Sequence, residues 1–345
     1  MFRKLVLSCI GLAIAAGAHA QAPWPNKPIK FIVAYPPGGG ADIGARLLAE
    51  PLSKALGQTI VVENRAGAGG TIGTTMVARA DPDGYTLLFA ASSEISIAPV
   101  TVKALAYDPE KDLQPISMLG KWPHVLAAYA GFAPNTLPEL VAYVKANPRK
   151  VSYSSFGNNT ANHLTGELFK VVAGIDSLHV PYKGSGPSIA DLIGGQVQYT
   201  FDSPAAVLNH VKAGKLKAIA VTGTQRLPNA NTIPAMAESG YGAVIGGAWV
   251  GLIAPAKTPK AIIDRLHAEI AASVQSAEMR ASLESRSIQP VGDTPEQFGR
   301  FIQSELGKWR EAVPKLCGLP VSAHASRIHL RPLWVKLWSE KSEPA

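Results

Sequence analysis

Cysteine is almost missing from this sequence, with Cys9 and Cys317 the two in 345 residues. No C-x-x-C and no H-x-x-H occurs, so the ligand spacing of a zinc site is absent. Charge is sparse, at 17% Asp, Glu, Lys and Arg. No basic stripe is interleaved with aromatics, which argues against nucleic-acid binding. No apolar run reaches the 18 residues or so of a membrane span. There is no G-x-S-x-G elbow, no phosphate loop ending in Gly-Lys-Ser/Thr, and no dinucleotide fingerprint. Nor does a Ser or Cys nucleophile stand at motif spacing from a partner. These absences leave no catalytic constellation and imply neither a metal nor a cofactor.

The start of the chain reads as a secretory leader. Arg3 and Lys4 precede the apolar run Leu5 to Ala16, and Ala18-His19-Ala20 is a cleavage site before Gln21. Residues 1–20 are therefore expected to be removed and the mature protein to reside in the periplasm. Cleavage takes Cys9 with it, so no intramolecular disulfide can form. The net charge of +8 shrinks on inspection: the leader carries +2 and residues 315–345 carry +3, leaving +3 on the body. A mildly basic body suits a small acidic ligand.

The stretch from Ile29 to Leu47 organises the rest. Apolar β-formers run to Tyr35, stop at Pro36-Pro37-Gly38-Gly39-Gly40, and give way to a helical pattern with Asp42 as a plausible cap. Strand, glycine loop and helix N-terminus together offer free N–H groups and a positive dipole end to an anion. The loop holds no lysine, which suits a carboxylate better than a triphosphate. A plain βα turn, its glycines serving packing alone, is the competing reading. The pattern repeats: a strand at Thr59–Val62 enters Glu63-Asn64-Arg65-Ala66-Gly67-Ala68-Gly69-Gly70, and a strand at Tyr85–Ala90 ends in Ala91-Ser92-Ser93-Glu94.

From about Trp122 a second βα series begins, with polar strand ends at Ser155–His163, Pro181–Pro187 and Asp202-Ser203-Pro204. A strand near Trp249–Pro255 and the helices after it cannot form a domain alone, so they return to the first. The expectation is an α/β fold of two doubly wound domains. Residues 21–121 and 249–314 form the first, 122–248 the second, and 315–345 an atypical tail. Two crossings between them make a hinge, and closure over a ligand is the expected motion.

Several stretches together resemble the Bug-type periplasmic solute receptors of tripartite tricarboxylate transporters. They are Pro36-Pro37-Gly38-Gly39-Gly40-Ala41-Asp42, Glu63–Gly70, His163-Leu164-Thr165-Gly166-Glu167-Leu168-Phe169 and His179–Pro187, with Asp191–Val197 and Gly251–Pro255 in support. The resemblance implies a type II periplasmic binding protein, a flytrap closing on a small organic acid or acidic amino acid. It also implies a ligand carboxylate held by backbone amides of the first loop and of the loop before the His163 helix, and membrane transporter subunits as partners. The receptor is expected to be a monomer. The chain departs from the family after Glu305-Leu306-Gly307-Lys308-Trp309, where a basic, Trp-containing run continues to Ala345.

The candidate ligand-binding residues in the first half are Tyr35, Pro37, Gly38, Gly39, Gly40, Ala41, Asp42 and Ser92. Those in the second are Gly157, Asn158, Asn159, Thr160, Asn162, His163, Lys183 and Asp202. Some have bland alternatives. His163 at a helix start is more often a cap or packed ring, Asp202 is as well suited to capping the next helix, and Arg65 and Lys183 are most often solvated. Two other functions stay open here: an exported sensor signalling to a membrane kinase, and an exported α/β hydrolase or oxidoreductase.

Overall fold

The structure is a computed structural model that describes residues 24–317. The predicted leader with its cleavage site, and the tail from 318 onward, lie outside the described residues.

Strand β1 (Ile29–Val33) is buried except at Lys30 and leads through the glycine loop into α1 (Gly40–Leu56). Ala41, Ala45, Leu48, Ala49, Leu52 and Leu56 recur at helical spacing and are buried, so one stripe of α1 seals against the sheet. Gly57, at φ 66°, closes the helix in the left-handed conformation that glycine adopts freely. Strand β2 (Ile60–Asn64), α2 (Thr71–Ala78) and β3 (Thr86–Ala91) continue the series, with β2 and β3 flanking β1 in parallel. A π-type turn at Ser93–Ile97 runs into the short α3 (Ala98–Thr101).

Two strands were not legible as such. β4 (Leu113–Pro123) contains Pro115, Gly120 and Pro123, which mask its period. Its next neighbour β5 (Val125–Tyr129) already belongs to the second sheet, so the chain crosses at His124.

The second series comprises α4 (Leu137–Ala146), β6 (Ser152–Ser155), α5 (Ala161–Ala173), β7 (Leu178–Pro181), α6 (Ser185–Ile193), β8 (Tyr199–Asp202), α7 (Pro204–Lys212) and β9 (Leu216–Val221). Its sheet has the order β7-β6-β8-β5-β9, with β5 antiparallel to β8 and β9. Tyr153, Phe169, Tyr199 and Phe201 fill one face, and Leu192, Val207 and Val221 the other.

The chain returns through β10 (Gly247–Pro255), followed by α8 (Lys260–Gln275), α9 (Ala277–Glu284), β11 (Gln289–Pro290) and α10 (Pro295–Cys317). β10 is antiparallel to β3 and β4, giving the first sheet the order β11-β4-β10-β3-β1-β2. Phe31, Leu48, Leu87 and Leu266 lie on one side of that sheet, and Ile32, Leu88, Phe298 and Leu306 on the other. Helix α10 runs on to Cys317, into the stretch set apart as a tail. Pro314 removes one N–H and the 23-residue helix carries across it. Val313 packs with Leu164 and Ala161 of α5, so the last helix leans on the second lobe.

Candidate functional site

The loops after the strands of both sheets face one cleft, with about 490 Å³ of open space including its mouth. The first lobe contributes Tyr35, Gly39, Gly40 and Ala41 from the β1–α1 loop and Ala91, Ser92 and Ser93 from the end of β3. The crossing strands supply Trp122, His124, Ala248 and Val250. Phe156, Ala161, Asn162, Ser185 and Ser203 come from the second lobe. No Lys, Arg, Asp or Glu is among these lining residues.

Several of these residues open helices. Gly40 and Ala41 begin α1, Ala161 and Asn162 begin α5, Ser185 begins α6, and Ser203 precedes α7. The first N–H groups of a helix have no partner within it and sit at the positive end of its dipole. Side chains add to this supply. Ser92 Oγ, Ser203 Oγ and Asn162 Nδ2 are buried, lie on the cleft and meet no hydrogen-bond partner. A buried polar atom without a partner marks a place where a bound molecule completes the network.

The lobes touch across the cleft. The Ala161 N–H donates to Ser93 Oγ at 3.0 Å. A Cβ placed on Gly39 would stand 3.1 Å from Ser185 Cβ, and one on Gly184 would stand 2.3 Å from Pro36 Cδ. A Cβ on Gly40 would meet Trp122 at 2.8 Å and Ser203 Oγ at 3.0 Å. Glycine at these positions lets the loop backbone come close to the facing side chains.

Behind the lining stand two buried carboxyls, one per lobe. Glu94 accepts from Tyr35 Oη at 2.7 Å and from the Ala91 N–H at 2.6 Å. Asp202 accepts from Ser185 Oγ at 2.6 Å and from the Ser203 N–H at 2.6 Å. Burial raises both to about 7 despite those bonds. His124 goes the other way: burial pushes it down to about 3, so the ring is neutral.

A family model described as "Tripartite tricarboxylate transporter family receptor" matches residues 44–318. BugT of Bordetella pertussis is 37% identical over 313 residues, 89% of this chain and 96% of that protein. The chain belongs to this receptor family. Two solved structures are similar to most of the receptor. An R. palustris protein with adipate is 31% identical, with a TM-score of 0.83 over 86% of this chain and 98% of its own. MatC of Rhodopseudomonas palustris with bound malate is 31% identical, with a TM-score of 0.80 over 84% and 100%. The fold is the two-domain flytrap of periplasmic binding proteins, and the protein is a solute-binding receptor, not an enzyme. Among the described residues no helix is long and apolar enough to cross a membrane.

The receptor's structure divides the candidate residues. Tyr35, Gly39, Gly40, Ala41, Ser92 and Asn162 line the cleft. Asp42 does not cap α1, whose N-cap is Gly39. It is the third helical residue, and its carboxylate turns back to accept from the Gly38 N–H at 3.0 Å and Asn64 Nδ2 at 2.9 Å, with Arg46 alongside. Burial would raise Asp42, yet the bonds from Arg46, Gly38 and Asn64 outweigh it and hold the carboxyl below its usual range. Its work is to brace the loop, where Gly38 sits at φ 90°. Pro37 and Gly38 are exposed, and the Pro37 carbonyl lies beside Gly186 of the second lobe.

In the second lobe, Gly157 and Thr160 bond to each other, the Thr160 hydroxyl donating to the Gly157 carbonyl at 2.7 Å. Asn158 is exposed, and its carbonyl lies beside Gly69 of the first lobe. The Asn159 N–H donates to His163 Nδ1 at 3.1 Å, and the His163 ring lies tilted by 33° against His179 with centroids 4.1 Å apart. His163 is thus packed behind the loop. Lys183 is exposed, as is Arg65, which pairs with Glu63. Asp202 stands one bond behind Ser185 and Ser203. Those two serines lay in the polar strand ends read from the sequence but not among the candidate ligand-binding residues, although Ser203-Pro204 is a recognisable helix start. Trp122, His124 and Val250 were missed because only the pairing of β4 with β10 brings them to the cleft.

Proposed function

We propose that this receptor captures a small carboxylate-bearing molecule, an organic acid or acidic amino acid, between its lobes and hands it to the membrane subunits of a tripartite tricarboxylate-type transporter. One observation carries the reading: helix N-termini and orphaned donors converge on a cleft lined by no charged side chain. Such a site neutralises an anion with fixed dipoles and hydrogen bonds. Charge-assisted bonds contribute about 1.5–3 kcal/mol each, so four supply roughly 6–12 kcal/mol gross. A micromolar complex needs about 8 kcal/mol. The apolar walls at Trp122, Phe156 and Val250 add the remainder.

In this reading Gly39, Gly40, Ala41, Ser92 and Asn162 hold the ligand, with Tyr35 in the wall. Residues 21–121 and 249–314 move as one domain and 122–248 as the other. The leader is cleaved after Ala20, and the mature receptor works in the periplasm as a monomer. The malate and adipate held by the two relatives support the ligand class. Native mass spectrometry of protein purified without added ligand, followed by calorimetry with organic acids and acidic amino acids, tests it. Absence of binding to any carboxylate overturns the proposal.

A further inference from the structure

His124 stands where the chain leaves the first sheet for the second, and its ring lines the cleft. Its backbone is fixed there, the N–H donating to Thr222 Oγ1 at 3.0 Å and the carbonyl accepting from the Thr222 N–H at 2.9 Å. Ring atom Nδ1 lies 3.1 Å from Thr165 Oγ1. A hydroxyl has one proton, and that of Thr165 goes to the Ala161 carbonyl at 2.8 Å. Thr165 Oγ1 is therefore the acceptor from His124, and Nδ1 carries the ring proton. Because burial keeps the ring neutral, Nε2 is a bare lone pair. With Nδ1 turned toward α5, Nε2 is the polar ring atom that a ligand can meet, and among the described residues it has no partner.

This acceptor differs from the donors around it. Asn162 Nδ2 and the helix N–H groups satisfy a carboxylate, but a carboxylate has no proton to give to Nε2. A ligand that brings a donor of its own meets Nε2 directly, whereas one without a donor leaves that lone pair to water. Three groups supply a donor. An ammonium leaves water readily only for an anionic partner, and no Asp or Glu lines the cleft. A protonated carboxyl gives up the charge that the helix ends stabilise. A hydroxyl costs neither.

We propose that the receptor's ligand is a hydroxycarboxylate whose hydroxyl donates to His124 Nε2, making His124 the residue that sets specificity within the carboxylate class. This rests on the carboxylate reading given above. It places the receptor upstream of reactions that consume a hydroxy acid.

The test compares hydroxy acids with their deoxy counterparts by calorimetry: malate with succinate, lactate with propionate, citrate with tricarballylate, and 3-hydroxybutyrate with butyrate, with aspartate as the amino analogue of malate. For the pair that binds, the hydroxy member is expected to bind roughly tenfold tighter, as one neutral hydrogen bond allows, and aspartate more weakly than malate. His124→Asn keeps a donor for Thr165 but is too short to meet the ligand. It should bring the ratio to near one by weakening the hydroxy member alone, and His124→Gln should restore the preference. Should the variants fold poorly, the 15N resonance of His124 Nε2 in the wild-type receptor provides the second measurement. It should move with the hydroxy member and stay with the deoxy member. Equal binding of both members, or a preference that survives in His124→Asn, overturns the hydroxyl assignment and leaves the carboxylate reading standing. If no member of any pair binds while another carboxylate does, the hydroxyl assignment falls; if no carboxylate binds at all, the carboxylate reading itself falls.

Discussion

Gly39→Val separates folding from closure. Gly39 has φ −84° and ψ 170°, an extended conformation in which a β-branched residue is comfortable, so the first lobe should accept valine without backbone strain. The obstacle lies across the cleft, where its Cβ would approach Ser185 Cβ at 3.1 Å before any γ-carbon is added. Overpacking of this kind costs about 1–3 kcal/mol. Since about 1.4 kcal/mol is tenfold in affinity, the dissociation constant should rise roughly fivefold to 150-fold. The melting temperature without ligand should stay within a degree or so of wild type, because an open receptor separates the two residues. Gly39→Ala should fall between, as the serine needs to give only a few tenths of an ångström. Solution scattering supplies the second readout: the radius of gyration falls when ligand saturates the wild type and falls less in the variant. A Gly39→Val protein that binds and contracts like wild type would refute the claim that this loop meets the second lobe around the ligand.

Other consequences are equally measurable. Ser93→Ala removes the acceptor of the cross-cleft bond from the Ala161 N–H, and calorimetry should show binding weakened about threefold to tenfold; unchanged binding would mean that the bond does not form in solution. Glu94 is held near 7 by burial, whereas the unfolded chain ionises it near 4. The folded state then binds the extra proton, so this group makes stability fall as pH rises from about 4 to 7. Glu94→Gln should flatten that slope in thermal melts, with Nε2 donating to Tyr35 Oη as the tyrosine proton turns to the Gly69 carbonyl; an unaltered slope excludes Glu94 as its source. Asp202, also near 7 and one bond behind the cleft serines, should take up a fraction of a proton when an anion arrives. Titrations at pH 7 in buffers of different ionisation enthalpy would reveal it, and identical heats would contradict it. Removing 318–345 should leave affinity unchanged, since Val313 already anchors α10 on α5; a loss of ligand binding would give the tail a place in the fold.

What the sequence made readable follows the parallel βα units. Gly38-Gly39-Gly40 after β1 and the glycine-bounded α5 each announce themselves within a dozen residues. The elements that escaped owe their form to distant partners. β4 is a strand because it pairs with β10 from Gly247↔Pro123 to Pro255↔Leu113, a relation no local pattern carries. The same holds at the cleft. The first-loop glycines were found by local chemistry, whereas Trp122, His124 and Val250 reach it by strand register. Asp42 and His163 share a geometry that no local pattern shows: each polar side chain at a helix start turns backward to brace its own loop.

The pairing of β4 and β10 has a mechanical consequence. Hydrogen bonds join the two crossing segments as far as Pro123 and Gly247, and the His124 N–H reaches the Gly246 carbonyl at 3.3 Å. The lobes are therefore linked by a ribbon, not by two independent strings. A two-stranded ribbon bends easily across its flat face and resists shear within its plane, so relative motion of the lobes is confined largely to a single rotational coordinate. On the proposed closure, capture of the solute would change one angle. A membrane subunit docked on both lobes could distinguish loaded from empty by that angle alone, without touching the solute.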